Sequence, residues 1–419
     1  MFEQSSDSAT SEAELRDRIT ELERQKSAAA AEQARLTVEW EKLRRTAEAA
    51  AGVPLDTRGR GLSTEVGLAR RDSPKKGSQH LGFAKALVHE MPHTLALLEA
   101  GLLSEWRATL IVRESACLTV EDRRRLDKEL CADPNTIDGL GDARIAAEAK
   151  TIAYRLNPQA VVDHAAKAPE ERYVSVRPAP DAMAYVTALV PMPQGVAVFA
   201  TLDRAAKTCA DDRSRGQVMA DTFIERLTGR PAEVPVPVTV NVVLPDDALL
   251  AGSSEPASVE GYGPIPAQSA RDLITDALDK DGEIALRRLY ANPASGALVA
   301  MESKSRAFPK GLAQFIRFRD TTCRTPYCNA PIRHIDHACP DREGGPTAAV
   351  NGQGLCEHCN YAKEQAGWAV RVVPDDSGRH TTEYTTPTGA VYRSTAPPIA
   401  GGLRVLTRDI HIVIPRKAA

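Results

Sequence analysis

Aromatic residues make up only 5% of this chain, cysteines number eight in 419 residues, and neither sign of charge prevails. Eight cysteines are too sparse for a disulfide scaffold and point to a reducing compartment. Lys and Arg total 53 against 56 Asp and Glu, a net charge of -3. That excludes a chain-wide polycation, so any nucleic-acid binding has to come from a local patch. No apolar run approaches the ~18–20 residues of a membrane helix, so no membrane partner is expected. The opening Met1-Phe-Glu-Gln-Ser-Ser-Asp-Ser is acidic and polar, unlike a signal peptide. The expectation is a cytoplasmic protein of two or three domains at the usual ~100–200 residues each.

The first 50 residues have almost no Gly or Pro and are rich in Ala, Glu and Arg. Leu15, Ile19, Leu22, Ala29, Leu36, Trp40, Leu43 and Ala47 follow the alternating 4–3 spacing of a coiled-coil seam, with Lys26 and Gln33 as polar members. Two readings stand: a homodimer through residues 12–50, or one long amphipathic helix packed on its own domain or swinging free. From Thr64 to Gly229 the pattern is mostly helical. Ser73-Pro74, Pro92 and Thr119-Val-Glu-Asp122 mark helix starts. Tyr173–Arg177 and Ala184–Leu189 read as a hairpin among the helices. Seven prolines between Arg230 and Gln268 mark a break, and Ile284–Met301 reads as a second hairpin. Lys304 to Arg333 then carries seven basic residues against the single acid Asp320, which suggests contact with phosphate.

Five of the eight cysteines fall between Cys323 and Cys359. Cys323-x4-Cys328 and Cys356-x2-Cys359 match two zinc knuckles closing one tetrahedral site, and four thiolates suit a structural Zn2+ with no open position. So polar a segment buries little core, and the ion would supply folding energy on the order of 10 kcal/mol. Between and just after the knuckles lie Asp336-His337, Asn351 and Asn360. Phosphodiester hydrolysis needs a base to activate water and a divalent cation at the phosphate, which an imidazole, a carboxylate and an amide can provide.

The run C-x4-C, D-H, N-x4-C-x2-C-N resembles the four-cysteine form of the ββα-metal nuclease module called HNH. The resemblance implies that His337 is the general base, that Asp336 and Asn360 bind catalytic Mg2+ or Mn2+, and that Asn351 fixes the loop between two strands. Cys323, Cys328, Cys356 and Cys359 would hold the zinc. Arg177-Pro-Ala-Pro-Asp-Ala-Met-Ala, Gln194-Gly-Val-Ala-Val, Met219–Thr228, Gly263-Pro-Ile-Pro-Ala and Phe315–Asp320 resemble the helical domain of unknown function numbered 222. That domain precedes HNH modules in proteins of the 13E12-repeat family.

The expected fold is therefore α+β and multidomain. It comprises a coiled-coil-like helix (1–52), a mainly helical domain with a small hairpin (60–230) and an α+β connecting region (231–302). An HNH nuclease module (303–375) and a β-rich tail (376–419) follow. The expected function is metal-dependent hydrolysis of DNA, with Arg317, Arg319, Arg324, Arg333 and Lys363 contacting the nucleic acid. The alternative is a zinc-stabilised nucleic-acid-binding protein without cleavage activity.

Overall fold

The computed structural model describes residues 11–231 apart from 182, 210 and 211, then 242–243, 248, 252–260, 262–279 and 307–398. The hairpin expected over Ile284–Met301, most of the strand-like run from Val238, and Lys304 and Arg306 lie outside those residues. The fold is mixed α and β, and two compact units emerge: residues 1–174 with 188–196, and residues 175–187 with 197–419.

The first unit is helical. Ser11 caps α1 (Glu12–Ala50), accepting a hydrogen bond from the Glu14 backbone N–H, and no proline interrupts the helix for 39 residues. Helices α2 (Leu62–Ala69), α3 (Pro74–Glu90), α4 (Pro92–Glu99), α5 (Glu105–Glu114), α6 (Val120–Cys131), α7 (Asp142–Leu156) and α8 (Pro158–Lys167) follow. One continuous apolar core joins Ala30, Ala31 and Ala34 of α1 to Leu87, Leu98, Ile111, Leu126 and Ile145. Helices α2 and α3 cross so closely that a Cβ on Gly77 would lie 2.0 Å from the Ser63 carbonyl oxygen, which is why no larger residue fits. Proline opens α4 and its N-cap, Met91, offers no side-chain bond. Asp127 of α6 does that work from outside, accepting from the His93 and Thr94 backbone N–H groups at 2.8 Å each and from the Thr94 hydroxyl at 2.6 Å.

Strands β1 (Tyr173–Ala179) and β2 (Met183–Leu189) pair, followed by α9 (Met192–Thr208) and α10 (Arg215–Thr228). Within the second unit, β3 (Val242–Val243), β4 (Ala257–Val259) and β5 (Gly263–Ile265) form a small antiparallel sheet, followed by α11 (Ala267–Asp279). Then come α12 (Lys310–Asp320), β6 (His334–His337), β7 (Gly352–Leu355) and α13 (Glu357–Lys363). Finally β8 (Ala369–Val373), β9 (Thr381–Thr385) and β10 (Val391–Thr395) make an antiparallel sheet in the order β10-β9-β8. Strands β6 and β7 pair antiparallel with His337 opposite Gly352. A side chain at Gly352 would strike Ile316 of α12 and Phe308, at 2.4 and 2.7 Å, so glycine there lets the helix seat on the hairpin. No described helix is long and apolar enough to cross a membrane.

Candidate metal centre and adjoining pocket

The four cysteines converge. Cys323 and Cys328 lie in the loop after α12, where the Cys323 N–H donates to the Ala330 carbonyl at 2.9 Å and the Cys328 N–H to the Thr325 carbonyl at 3.0 Å. Cys356 occupies the N-cap of α13, and Cys359 follows one turn later, its N–H directed at the Cys356 sulfur at 3.5 Å. All four sulfurs lie within 4.8 Å of one another. The Cys328 and Cys356 sulfurs stand 3.9 Å apart, far beyond a disulfide and close to the edge of a tetrahedron with ~2.3 Å zinc–sulfur bonds. Hydrogen bonding among neighbouring sulfurs pulls the Cys356 thiol far down and pushes Cys359 far up. Four thiolates so close need a cation to share, and the donor set fits zinc.

Beside this cluster an open pocket of about 680 Å³ is lined by Phe308, Arg317, Asp336, His337, Arg342 and Lys363, among others. Both His337 and Asp336 come from β6, which places them on its last residues before the loop to β7. His337 is buried; its Nε2 lies 2.9 Å from the Thr347 hydroxyl, and its Nδ1 lies 3.7 Å from Asp336 Oδ1. Phe308 packs on the imidazole with ring centres 4.7 Å apart. Asn351 is tied into the loop between the strands: its Oδ1 accepts from the Cys339 N–H at 2.9 Å, and its Nδ2 donates to the Cys339 and Pro346 carbonyls at 3.0 Å each. Asn360, one residue past the last cysteine, has a buried side-chain oxygen with no hydrogen-bond partner among the described residues. An oxygen desolvated in this way costs about 1–3 kcal/mol unless something such as a cation satisfies it. That orphan atom and the Asp336 carboxylate are hard oxygen donors of the kind Mg2+ or Mn2+ prefers.

Three of the five residues expected to touch nucleic acid are buried and paired within the protein. Arg319 is 4% exposed, spending its guanidinium on Asp320 and on the Ala349 and Gly352 carbonyls, both at 2.6 Å. Arg324, 3% exposed, donates to the His380 and Ser394 carbonyls and thereby ties the C-terminal sheet to the knuckle loop. Lys363 is buried as well, with its Nζ 2.8 Å from Asp336 Oδ2 and also paired to Glu364. Arg319 and Arg324 thus spend their donors inside the protein, whereas Lys363 lines the pocket with its charge already shared by Asp336 and Glu364. Arg317 does line the pocket, without an ion pair among the described residues, and Arg333 is exposed outside it. Sequence reasoning missed Thr347, Arg342 and the Lys363–Asp336 pair. Lys363 lies on α13 and Asp336 on β6, and no spacing along the chain connects them.

A family model described as a domain of unknown function (DUF222) matches residues 17–320. The uncharacterized protein Rv3776 of Mycobacterium tuberculosis is 31% identical over 202 residues, 47% of this chain and 32% of that protein. The uncharacterized protein Rv2100 of the same species is 37% identical over 84 residues, 19% of this chain and 14% of that protein. The aligned stretches thus span a third or less of these relatives' own lengths. No solved structure matches the chain.

Proposed function

The chain belongs to the DUF222 family, which carries no assigned activity, and from its C-terminal site we propose a metal-dependent HNH endonuclease hydrolysing DNA phosphodiester bonds. The observation that carries the reading is the pocket lined by His337 and Asp336 together with Arg317 and Arg342, in a region that also holds a four-sulfur cluster. The hairpin β6–β7 followed by α13 has the strand–strand–helix order of the module that the sequence resembles. Asp336 and the orphan oxygen of Asn360 would hold Mg2+ or Mn2+. When bound, such an ion neutralises charge developing on the scissile phosphate and leaving oxygen.

The chain's own groups do the rest. In the tautomer that carries its proton on Nε2, facing the Thr347 hydroxyl, the His337 Nδ1 keeps its lone pair and takes a proton from the attacking water. Phe308 and Thr347 fix the ring, so the base meets water in one orientation. Arg317 pairs with the phosphate and sets the strand in place. The four-sulfur cluster pins the start of α13 and, through it, Asn360.

One observation favours the second reading, a zinc-stabilised binding protein without cleavage. Lys363 already neutralises Asp336 at 2.8 Å, so the carboxylate is stable with no divalent ion. Supercoiled plasmid incubated with the protein and Mg2+ or Mn2+ separates the two. The nuclease reading expects cutting, and His337→Ala should slow it by about 10²–10⁴-fold while DNA binding persists. Zinc-loaded protein that binds DNA but fails to cut it whichever divalent ion is added would leave the binding reading standing.

A further inference from the structure

The 4–3 seam of α1 is not what holds the helix to its own unit. The buried residues are Ser27, Ala30, Ala31, Ala34 and Thr37, a neighbouring stripe of small side chains that lets α3 and α4 approach closely. Most of the seam stays in solvent: Leu15 is 54% exposed, Ile19 69%, Leu22 44%, Leu36 53% and Leu43 63%, while Trp40 is half-buried. Leucines at 15, 22, 36 and 43 therefore keep a seven-residue period on an open face, the repeat that fits another helix of the same period. Residues 12–22 are all exposed, so the start of α1 projects free, while from Arg24, whose backbone lies against Gly101, the helix is mounted on its core.

We propose that this face pairs antiparallel with α1 of a second copy of the chain. Two features select that occupant and that direction. In a parallel pair Lys26 would face Lys26 of the second copy inside the seam, two like charges desolvated together. Run antiparallel, Leu15 meets Trp40 of the second copy, Ile19 meets Leu36, and Lys26 meets Ala29, so the charges part. The exposed flank beside the seam reads Arg18, Gln25, Glu32, Glu39. Antiparallel packing sets Arg18 opposite Glu39 of the second copy, twice by symmetry, whereas parallel packing would set it opposite Glu23. The direction also lays the free start of each helix on the mounted part of the other. This pairing is independent of the nuclease reading.

Light scattering and sedimentation of the full chain should give a dimer at micromolar concentrations. Leu22→Glu with Leu36→Glu should give a monomer with unchanged helix content and zinc. Should that pair perturb folding, Leu15→Lys with Ile19→Lys, in the turns free of the core, makes the same test. Arg18→Glu alone and Glu39→Arg alone should each weaken the dimer, and the two together should restore it. A monomeric parent overturns the proposal, as does a dimer that survives the leucine changes. Restoration by Arg18→Glu with Glu23→Arg instead overturns it in favour of a parallel pair.

Discussion

The helical core over residues 62–156 and the knuckle region over residues 310–363 are filled by opposite means. In the first, Leu87, Leu98, Ile111, Leu126 and Ile145 meet in one large apolar cluster, with buried polar residues such as Glu65, Thr94 and Asp127 set at its edges and bonded to neighbouring elements. In the second the apolar clusters are small, and the interior is occupied by Arg319, Asp320, Arg324 and Asn351, each paired. The reason is the backbone. Helices satisfy their own N–H and C=O groups and can be covered with hydrocarbon, whereas the irregular loops at 321–333 and 338–351 need partners from elsewhere. Asp320 reaches the Gly354 N–H at 2.7 Å, Arg319 takes two carbonyls, and Asn351 takes three loop groups. Apolar packing has no direction, but these bonds do. The region that holds His337 and Asp336 is built from them.

The largest break in the comparison is expected at the sulfurs. Chelating the zinc, or Cys356→Ser, removes a term on the order of 10 kcal/mol from the knuckle region and nothing from the helical core. Hydrogen exchange should show β6, β7 and α13 losing protection while α3 to α7 keep theirs. Joint loss of protection in both regions would defeat the contrast.

Next in size is the buried charge. Arg319→Met leaves Asp320 charged, buried and without its main partner, and should cost about 3–5 kcal/mol. Its counterpart in the other region is Asp127→Ala, which strips three hydrogen bonds from the start of α4 and should cost about 2–4 kcal/mol. Denaturant titrations read by probes in each region should assign the first loss to the knuckles and the second to the helices. Were both losses to appear in the same transition, the two regions would unfold as one and the contrast in construction would have no thermodynamic counterpart.

How much was legible follows the same division. Helix starts at Pro74, Pro92 and Val120 could be read because capping and proline signals are local. The four-cysteine cluster could be read because ligand spacing is also local. Burial in the basic run could not. Arg317, Arg319 and Arg324 look alike in sequence, and the face of α12 that meets β7 is set by Gly352 and Gly354, more than thirty residues on. The Lys363–Asp336 pair and the Thr347–His337 contact are likewise tertiary, joining elements with no shared period. On α1 the periodicity was plain, yet the helix packs on its core through the stripe of alanines beside the seam.

The smallest expected effect tests which cations face outward. Each phosphate contact contributes about 0.9 to the slope of binding against salt. Arg317 lines the pocket with no ion pair among the described residues, so Arg317→Gln should lower that slope by about one and weaken binding alike across DNA sequences, with stability unchanged. Arg319→Gln, two residues on, should instead lower stability, and its effect on the slope at a temperature where it stays folded should be nil. That asymmetry follows from geometry alone: one guanidinium lines an open pocket, while the other is enclosed by Asp320 and two carbonyls. If the two variants shifted the slope equally, the basic run would be acting through bulk charge, and the assignment of Arg317 to the phosphate would be wrong.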